Sequence, residues 1–391
     1  MNPVYIQRLS AFLPNAPVSN DEMEKVLGQI NGKPSRVRRI ILRSNGILTR
    51  HYVLDAQSGQ PRYNNAQLTA EAVRGLSGDG VSLSQIDLLA CGTSSPDQLA
   101  PGHAVMVHGE LGSVPCEAVS FSGICCAGMG ALKYAHMSVA TGSARSAVAT
   151  GSEVVSTFMR AQQFAVESLT TEADLKKRPE LAFDRDFLRW MLSDGAGAML
   201  LGPTPVHKNG VALRLDWIEM ISYAHEQPAC MYGGAEKMPD GRLRGWREYN
   251  STVDAAQQCA FTVKQDVRQL NDHVVKYCIE RALPEVLRRR DIKADDIRWF
   301  LPHYSSEYFR DHVHQAIKRV GFDVPQERWF SNLTHVGNVG SASPYLMIEE
   351  LVRRHGIEAG DRILMFVPES GRFSACYALI TAVNGPLPIG D

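Results

Sequence analysis

The chain has 391 residues, 44% of them hydrophobic, enough for two domains or one large duplicated one around a real core. Its formal net charge is −1 at pH 7, so no global charge draws it to nucleic acid or an anionic membrane. No apolar run approaches the roughly 20 residues that span a bilayer. Residues Met1 to Tyr5 lack the charged-then-apolar order of a signal peptide. The eight cysteines form no Cys-x-x-Cys pair and show no zinc spacing, which points to free thiols in a reducing cytoplasm and to no metal site. The basic runs Arg36-Val37-Arg38-Arg39 and Arg288-Arg289-Arg290 read either as solvated faces or as docking for an acidic partner.

In chain order, a helix is expected around Glu71 to Leu76, followed by an apolar strand over Ile86 to Ser95 and a helix from Gly102 to Leu111. Gly123-Ile124-Cys125-Cys126-Ala127-Gly128 is a small-residue turn running into a helix. A thiol at a helix start faces exposed N–H groups and the positive end of the macrodipole, which favour the nucleophilic thiolate. The alternative is a small core filler. After a turn at Gly142 comes a strand at Ser146 to Glu153. Residues 157–190 are charged and helical with interleaved aromatics, including Phe187 and Trp190, and read as an insertion that could wall a substrate tunnel. Ser193-Asp194-Gly195-Ala196-Gly197-Ala198 is a tight turn into a buried strand. The span from about 225 to 250 is a polar excursion with a turn at Pro239-Asp240-Gly241.

The second half repeats the order. A helix from Val274 to Arg289 precedes the strand Ile297 to Ser306, which delivers His303 at its C-terminal end, and a helix follows from Tyr308 to Val320. The loop Asn332 to Ser343 carries Asn338 and leads into a helix from Pro344 to Arg354. A turn at Gly360 precedes the strand Ile363 to Ser370. Both repeats contain an apolar strand ending in Ser-Ser, at Ser94-Ser95 and Ser305-Ser306. Alternating strands and helices predict α/β layers around mostly parallel strands, in a duplicated unit divided as 1–205 and 206–391. A Cys, a His and an Asn on element ends far apart in sequence suit covalent acyl chemistry.

Cys126-Ala127-Gly128, Asp194-Gly195-Ala196-Gly197-Ala198, Leu301-Pro302-His303 and Gly337-Asn338 with Ser341-Ala342-Ser343 together resemble the β-ketoacyl-acyl-carrier-protein synthase III family of the thiolase superfamily. The resemblance implies a duplicated five-layered αβαβα fold, a homodimer, and no metal or redox cofactor. It implies that Cys126 takes an acyl group from a thioester. His303 and Asn338 would then hold the carbonyl of a malonyl extender as carbon dioxide leaves and the carbanion attacks. It also implies an oxyanion hole from the backbone N–H groups of Cys126 and Gly371. An acyl-carrier protein is the implied partner, with coenzyme A thioesters as possible donors. Arg310, Lys318 and Arg319 are candidates for carrier docking. Phe187, Trp190 and Ser306 are candidates for substrate contact.

The departures point to a divergent branch. The family's Trp before its Thr-Gly-Ile-type turn is absent at Asn45-Gly46-Ile47, and the Arg is missing or displaced to Arg43. The Gln-Ala-Asn after the catalytic His is replaced by Tyr304-Ser305-Ser306, and a His before Gly-Asn by Val336. The expected activity is therefore a decarboxylative condensation giving a specialised β-keto product, from an acyl donor that is long, branched or aromatic. The alternatives are acyl transfer from Cys126 to an alcohol or amine, and head-to-head condensation of two acyl thioesters with Glu117 or Glu153 as base. A catalytically dead dimer partner would need a lost Cys or His, and both remain.

Overall fold

The computed structural model describes residues 2–35, 37–78, 82–164, 187–206 and 210–384. Nine strands form the main sheet: β1 (Tyr5–Phe12), β2 (Leu88–Thr93), β3 (Glu117–Ser122), β4 (Ala147–Glu153), β5 (Gly195–Gly202), β6 (Val211–Ser222), β7 (Trp299–Pro302), β8 (Arg362–Glu369) and β9 (Ser374–Asn384). Their spatial order is β7-β8-β9-β6-β1-β5-β4-β2-β3. The longer helices are α1 (Arg38–Asn45), α2 (Asn65–Arg74), α3 (His103–Leu111), α4 (Cys126–Thr141), α5 (Val267–Val275), α6 (Ala282–Arg289), α7 (Tyr308–Arg319) and α8 (Ser343–Arg354).

The duplication is visible in the pairing. On one side β2 and β4 are parallel, β4 and β5 antiparallel, and β5 and β1 antiparallel. On the other side β7 and β8 are parallel, β8 and β9 antiparallel, and β9 and β6 antiparallel. The counterpart of β3 is reduced to a single parallel bridge between Phe300 and Trp329. Among the described residues, the two halves touch as sheet only through Tyr5↔Arg214 and Ile6↔Leu213. This is the duplicated thiolase-like arrangement expected from the repeat, but five of the eight strand pairings in the sheet are antiparallel, which corrects the expectation of mostly parallel strands. Strands β2, β4 and β5 are buried along their whole length, as strands covered on both faces must be.

The two inner helices are α4 and α8. Small residues let α4 lie close to its neighbours. A Cβ on Gly92 would come within 2.3 Å of the Ala127 carbonyl, and one on Gly128 within 2.3 Å of the Ser341 carbonyl. Tyr345 of α8 donates its hydroxyl to Gly128 O at 2.7 Å, tying the two helices together. Helix α2 starts with a capping box in which Asn64 accepts from Gln67 N and the Gln67 side chain accepts from Asn64 N. That cap contributes on the order of 1 kcal/mol.

Of the insertion expected at 157–190, residues 165–186 lie outside the described residues. Its described ends form the short helix Ser156–Met159, a 3₁₀ turn at Ala161–Phe164, and buried residues from Phe187 onward. The polar excursion is a hairpin, Ala235–Lys237 against Leu243–Gly245. It turns at Pro239-Asp240-Gly241, where Gly241 has a φ of 83°.

Candidate active site

Cys126 is the first residue of α4 and is 5% exposed. Its thiol donates to Val367 O at 3.4 Å. Burial, and then the charge of Glu369, hold the thiol well above its ordinary pKa of 9.0. This corrects the expectation of a resting thiolate. The helix-terminus effect is worth about 0.3–1 kcal/mol at exposed sites, and here desolvation and an adjacent carboxylate act against it.

His303 ends the β7 segment, with its backbone N–H donating to Phe366 O at 2.8 Å. Burial pushes its imidazole from 6.5 down to about 4, so the ring is neutral at pH 7. Asn338 is fixed from three sides. Its backbone N–H donates to Met191 O at 3.1 Å, and its carbonyl accepts from Ser193 N at 2.9 Å. Its Oδ1 accepts from Gly340 N at 2.9 Å, which leaves the Nδ2 amide as the donor end available to the cavity.

His303 and Asn338 line one cavity, together with Ile124 and Cys125, the two residues before Cys126. The other walls are mostly apolar. Leu188 and Leu192 come from the stretch before β5, Leu270 and Val274 from α5, and Phe309 and Val313 from α7. Helix α5 continues into a π-helical turn at Lys276–Arg281, which adds Ile279. Such turns concentrate at functional sites. Glu153 also lines the cavity, where it accepts from the Ser94 and Ser95 hydroxyls at 2.7 Å and from Ser341 N at 3.2 Å. Burial raises its pKa above the usual carboxylate value.

The remaining candidates take other positions. Trp190 is fully buried in the core with the Arg189 guanidinium 5.0 Å from its ring, and Phe187 is buried beside it. The cavity wall is formed by Leu188 and Leu192 instead. Ser306 is buried and donates to Ser44 O at 3.3 Å, while its neighbour Ser305 lines the cavity. Arg310 donates to Gln326 Oε1 at 2.8 Å and to Tyr304 OH at 3.1 Å. Lys318 lies 3.5 Å from Asp323, and Arg319 2.5 Å from Glu280. The three basic side chains are thus engaged within the molecule. Glu117 is exposed on β3 and accepts from Tyr134 OH. In the basic runs, Arg38 pairs with Glu24, Arg288 with Glu285, and Arg289 and Arg290 with Glu219.

One residue in contact with Cys126 escaped the sequence reading. Glu369, at the end of β8, accepts from both Cys126 N and Ile124 N at 3.0 Å. The N–H expected to form half of an oxyanion hole therefore already holds a carboxylate. Gly371 lies against the same groups: a Cβ there would be 3.1 Å from Ile124 Cδ1 and 3.4 Å from Glu369 Oε1. The only hint in the sequence is a charged residue closing an apolar strand.

Residues 287–379 match the family described as 3-oxoacyl-[acyl-carrier-protein] synthase III, C terminal. A β-ketoacyl-[acyl-carrier-protein] synthase III of Xanthomonas campestris pv. campestris is 24% identical over 366 residues, 91% of each chain. Over most of its length this chain is similar to synthase III condensing enzymes. Solved structures share the fold of this chain. The tetronic acid condensing enzyme AbyA1 is 22% identical at a TM-score of 0.73, covering 97% of this chain and 99% of its own. OleA of Xanthomonas campestris, solved with bound lauric acid and lauroyl-CoA, is 18% identical at a TM-score of 0.70 with the same coverage.

The neutral His303 gives a pH prediction. A group whose folded pKa lies below its free value keeps its neutral form as the pH falls, until the folded value is reached. Condensation from a preformed acyl-enzyme should hold its rate from pH 7 down to pH 5 and fall only near pH 4, about 2.5 units below a free imidazole. Single-turnover rates across that range are the check, and an acid limb centred near 6.5 would place the ring in water.

Proposed function

We propose that the enzyme moves an acyl group from a thioester donor onto Cys126 and condenses it, with loss of carbon dioxide, with a malonyl group on acyl-carrier protein. The observation that carries this reading is the pairing of a neutral His303 with Asn338 in one cavity, the Asn amide oriented by Gly340. An enolate oxygen needs preorganised donors in a dry site, and these two side chains supply them. The apolar walls from α5, α7 and the stretch before β5 favour a donor with an extended hydrocarbon chain. Both halves of the chain, 1–205 and 206–391, contribute: the first carries Cys126, and the second His303 and Asn338. We propose a homodimer joined at the free edge of β3, which pairs only with β2 among the described residues. Light scattering would show a mass near twice that of the chain.

Head-to-head condensation requires a base. Glu153 is the carboxylate on the cavity wall, but hydrogen bonds from Ser94, Ser95 and Ser341 already occupy both of its oxygens. The deciding experiment is intact-protein mass after incubation with acyl-coenzyme A and acyl-carrier donors of graded length, followed by malonyl-carrier protein, with Cys126→Ala as control. The expected result is an adduct on Cys126 that malonyl-carrier protein discharges as carbon dioxide and a β-ketoacyl product. An adduct that malonyl-carrier protein leaves in place, but an alcohol or amine removes, would replace condensation by acyl transfer.

A further inference from the structure

Acylation of Cys126 meets an obstacle in its own loop. The sulfur attacks the donor carbonyl, and the electron pair of that carbonyl moves onto oxygen. To be stabilised, this oxyanion must sit about 2.7–3.1 Å from a backbone donor. The N–H of Cys126 is that donor, and Glu369 Oε2 lies 3.0 Å from it. Carboxylate and oxyanion would occupy the same place with the same sign of charge. The carboxylate packs against Gly123 and Gly371: a Cβ on either would make ordinary contact with it, at 3.4 Å from Oε2 and 3.4 Å from Oε1. A second backbone donor, Ile124 N, holds Oε2 at 3.0 Å.

We propose that Glu369 is a gate that sets donor specificity: its carboxylate closes the oxyanion site in the resting enzyme, and only a donor whose chain fills the apolar cavity displaces it. This rests on the reading of Cys126 as the acyl acceptor. Opening the gate forgoes two charge-assisted hydrogen bonds. The free energy for that comes from remote binding of the acyl chain, against Leu270 and Val274 of α5 and Phe309 of α7, rather than from the reacting carbonyl. A two-carbon acyl group has no chain to bind there, so the gate stays shut against it. Once the carboxylate has left, the reaction is an exchange of thioesters. The bond from Cys126 sulfur to the acyl carbon forms, the bond from that carbon to the donor sulfur breaks, and the Cys126 proton ends on the departing thiol.

The closed gate also keeps the thiol protonated. Burial and then the Glu369 charge dominate at Cys126, and the other titratable groups acting on it are Cys376, Cys125 and Cys278. Glu153 acts on Cys125 from the cavity side.

The test compares wild type, Glu369→Gln and Glu369→Ala in the full chain, with thermal melting to confirm folding. Acylation is followed by intact mass with acetyl-coenzyme A and with a long-chain acyl-coenzyme A. Glu369→Ala should acylate with acetyl-coenzyme A at least about tenfold faster, the equivalent of one charge-assisted hydrogen bond, and change much less with the long-chain donor. Glu369→Gln keeps an oxygen on the two N–H groups but loses the charge, so it should fall between the two. Alkylation of Cys126 by iodoacetamide at a single pH, mapped by peptide mass, should accelerate in both variants. A structural role alone would move the melting temperature and leave the ratio of the two donors unchanged. Slower acylation of the variants with both donors would make Glu369 an activating base. Equal rates, or an equal gain with both donors, would likewise overturn the gate. An absence of any adduct on Cys126, wild type included, would remove the acyl-acceptor reading beneath it. Should Glu369→Ala fail to fold, the Glu369→Gln ratio decides alone.

Discussion

Asn338→Ala should slow condensation by about 10²–10³-fold, the usual loss on removing one preorganised donor from a developing oxyanion, while acylation of Cys126 changes little. The asymmetry follows from where the side chain is held. Oδ1 is committed to Gly340 N at 2.9 Å, so the residue offers the cavity only its N–H₂. That group has work in the step that makes an enolate. On the proposed reading, the oxygen formed during acylation is held at the Cys126 backbone instead. His303→Ala should behave alike, since its ring is neutral and lines the same cavity. The double variant should lose little more than either single one, because two donors to one oxygen act as a unit. The check is to separate the half-reactions, with intact mass for acylation and carbon dioxide release from malonyl-carrier protein for condensation. Equal losses in both half-reactions would assign the pair to binding rather than to the enolate.

The parts of the molecule legible in the sequence are those encoded locally. The Ser-Ser strand ends, the glycine turns and the order of helices carry the duplication, and the pairing of strands repeats it from one half to the other. Even the hairpin turn at Pro239-Asp240-Gly241 is written in its own residues. His303 and Asn338 stand on element ends, where side chains face open space, and both line the cavity. Properties set by distant neighbours were not legible. Glu369 meets Cys126 across 243 positions of sequence, and no local pattern brings them together. The ionisation of Cys126 looked like a matter of helix polarity, yet burial and that carboxylate set it. Phe187 and Trp190 looked like tunnel wall because they are large and aromatic. Their size is also why they pack inward, leaving the smaller Leu188 and Leu192 to face the cavity. Lys318 and Arg319 are candidates for carrier docking in the sequence, and the structure pairs them with Asp323 and Glu280.

Gly151→Ala should destabilise the fold by about 1–3 kcal/mol or more, the range for overpacking a close-packed interior, and should abolish condensation as well. Gly151 sits in the middle of β4, where alanine would otherwise be welcome: Ala147 and Ala149 are already there. The obstacle is backbone rather than a side chain that could rotate away. The new Cβ would lie 2.2 Å from Ser341 O, 2.8 Å from Ser341 C and 3.0 Å from Ala342 Cα. To admit it, the turn Gly340–Ala342 must move off the sheet. That turn is hydrogen-bonded to Asn338, whose Oδ1 Gly340 N holds, and to Glu153 at the end of β4 through Ser341 N. One added methyl thus acts on stability through packing and on chemistry through the orientation of the Asn338 amide. Gly109→Ala is the matched control. It lies inside α3 with nothing within 4 Å of the added carbon, and should stabilise by about 0.5–1 kcal/mol through helix propensity. Thermal melts of the two variants should therefore move in opposite directions, and condensation should disappear only in Gly151→Ala. If Gly151→Ala melted like wild type, the turn would be free to shift, and the close packing that holds Asn338 in place would not be what positions it.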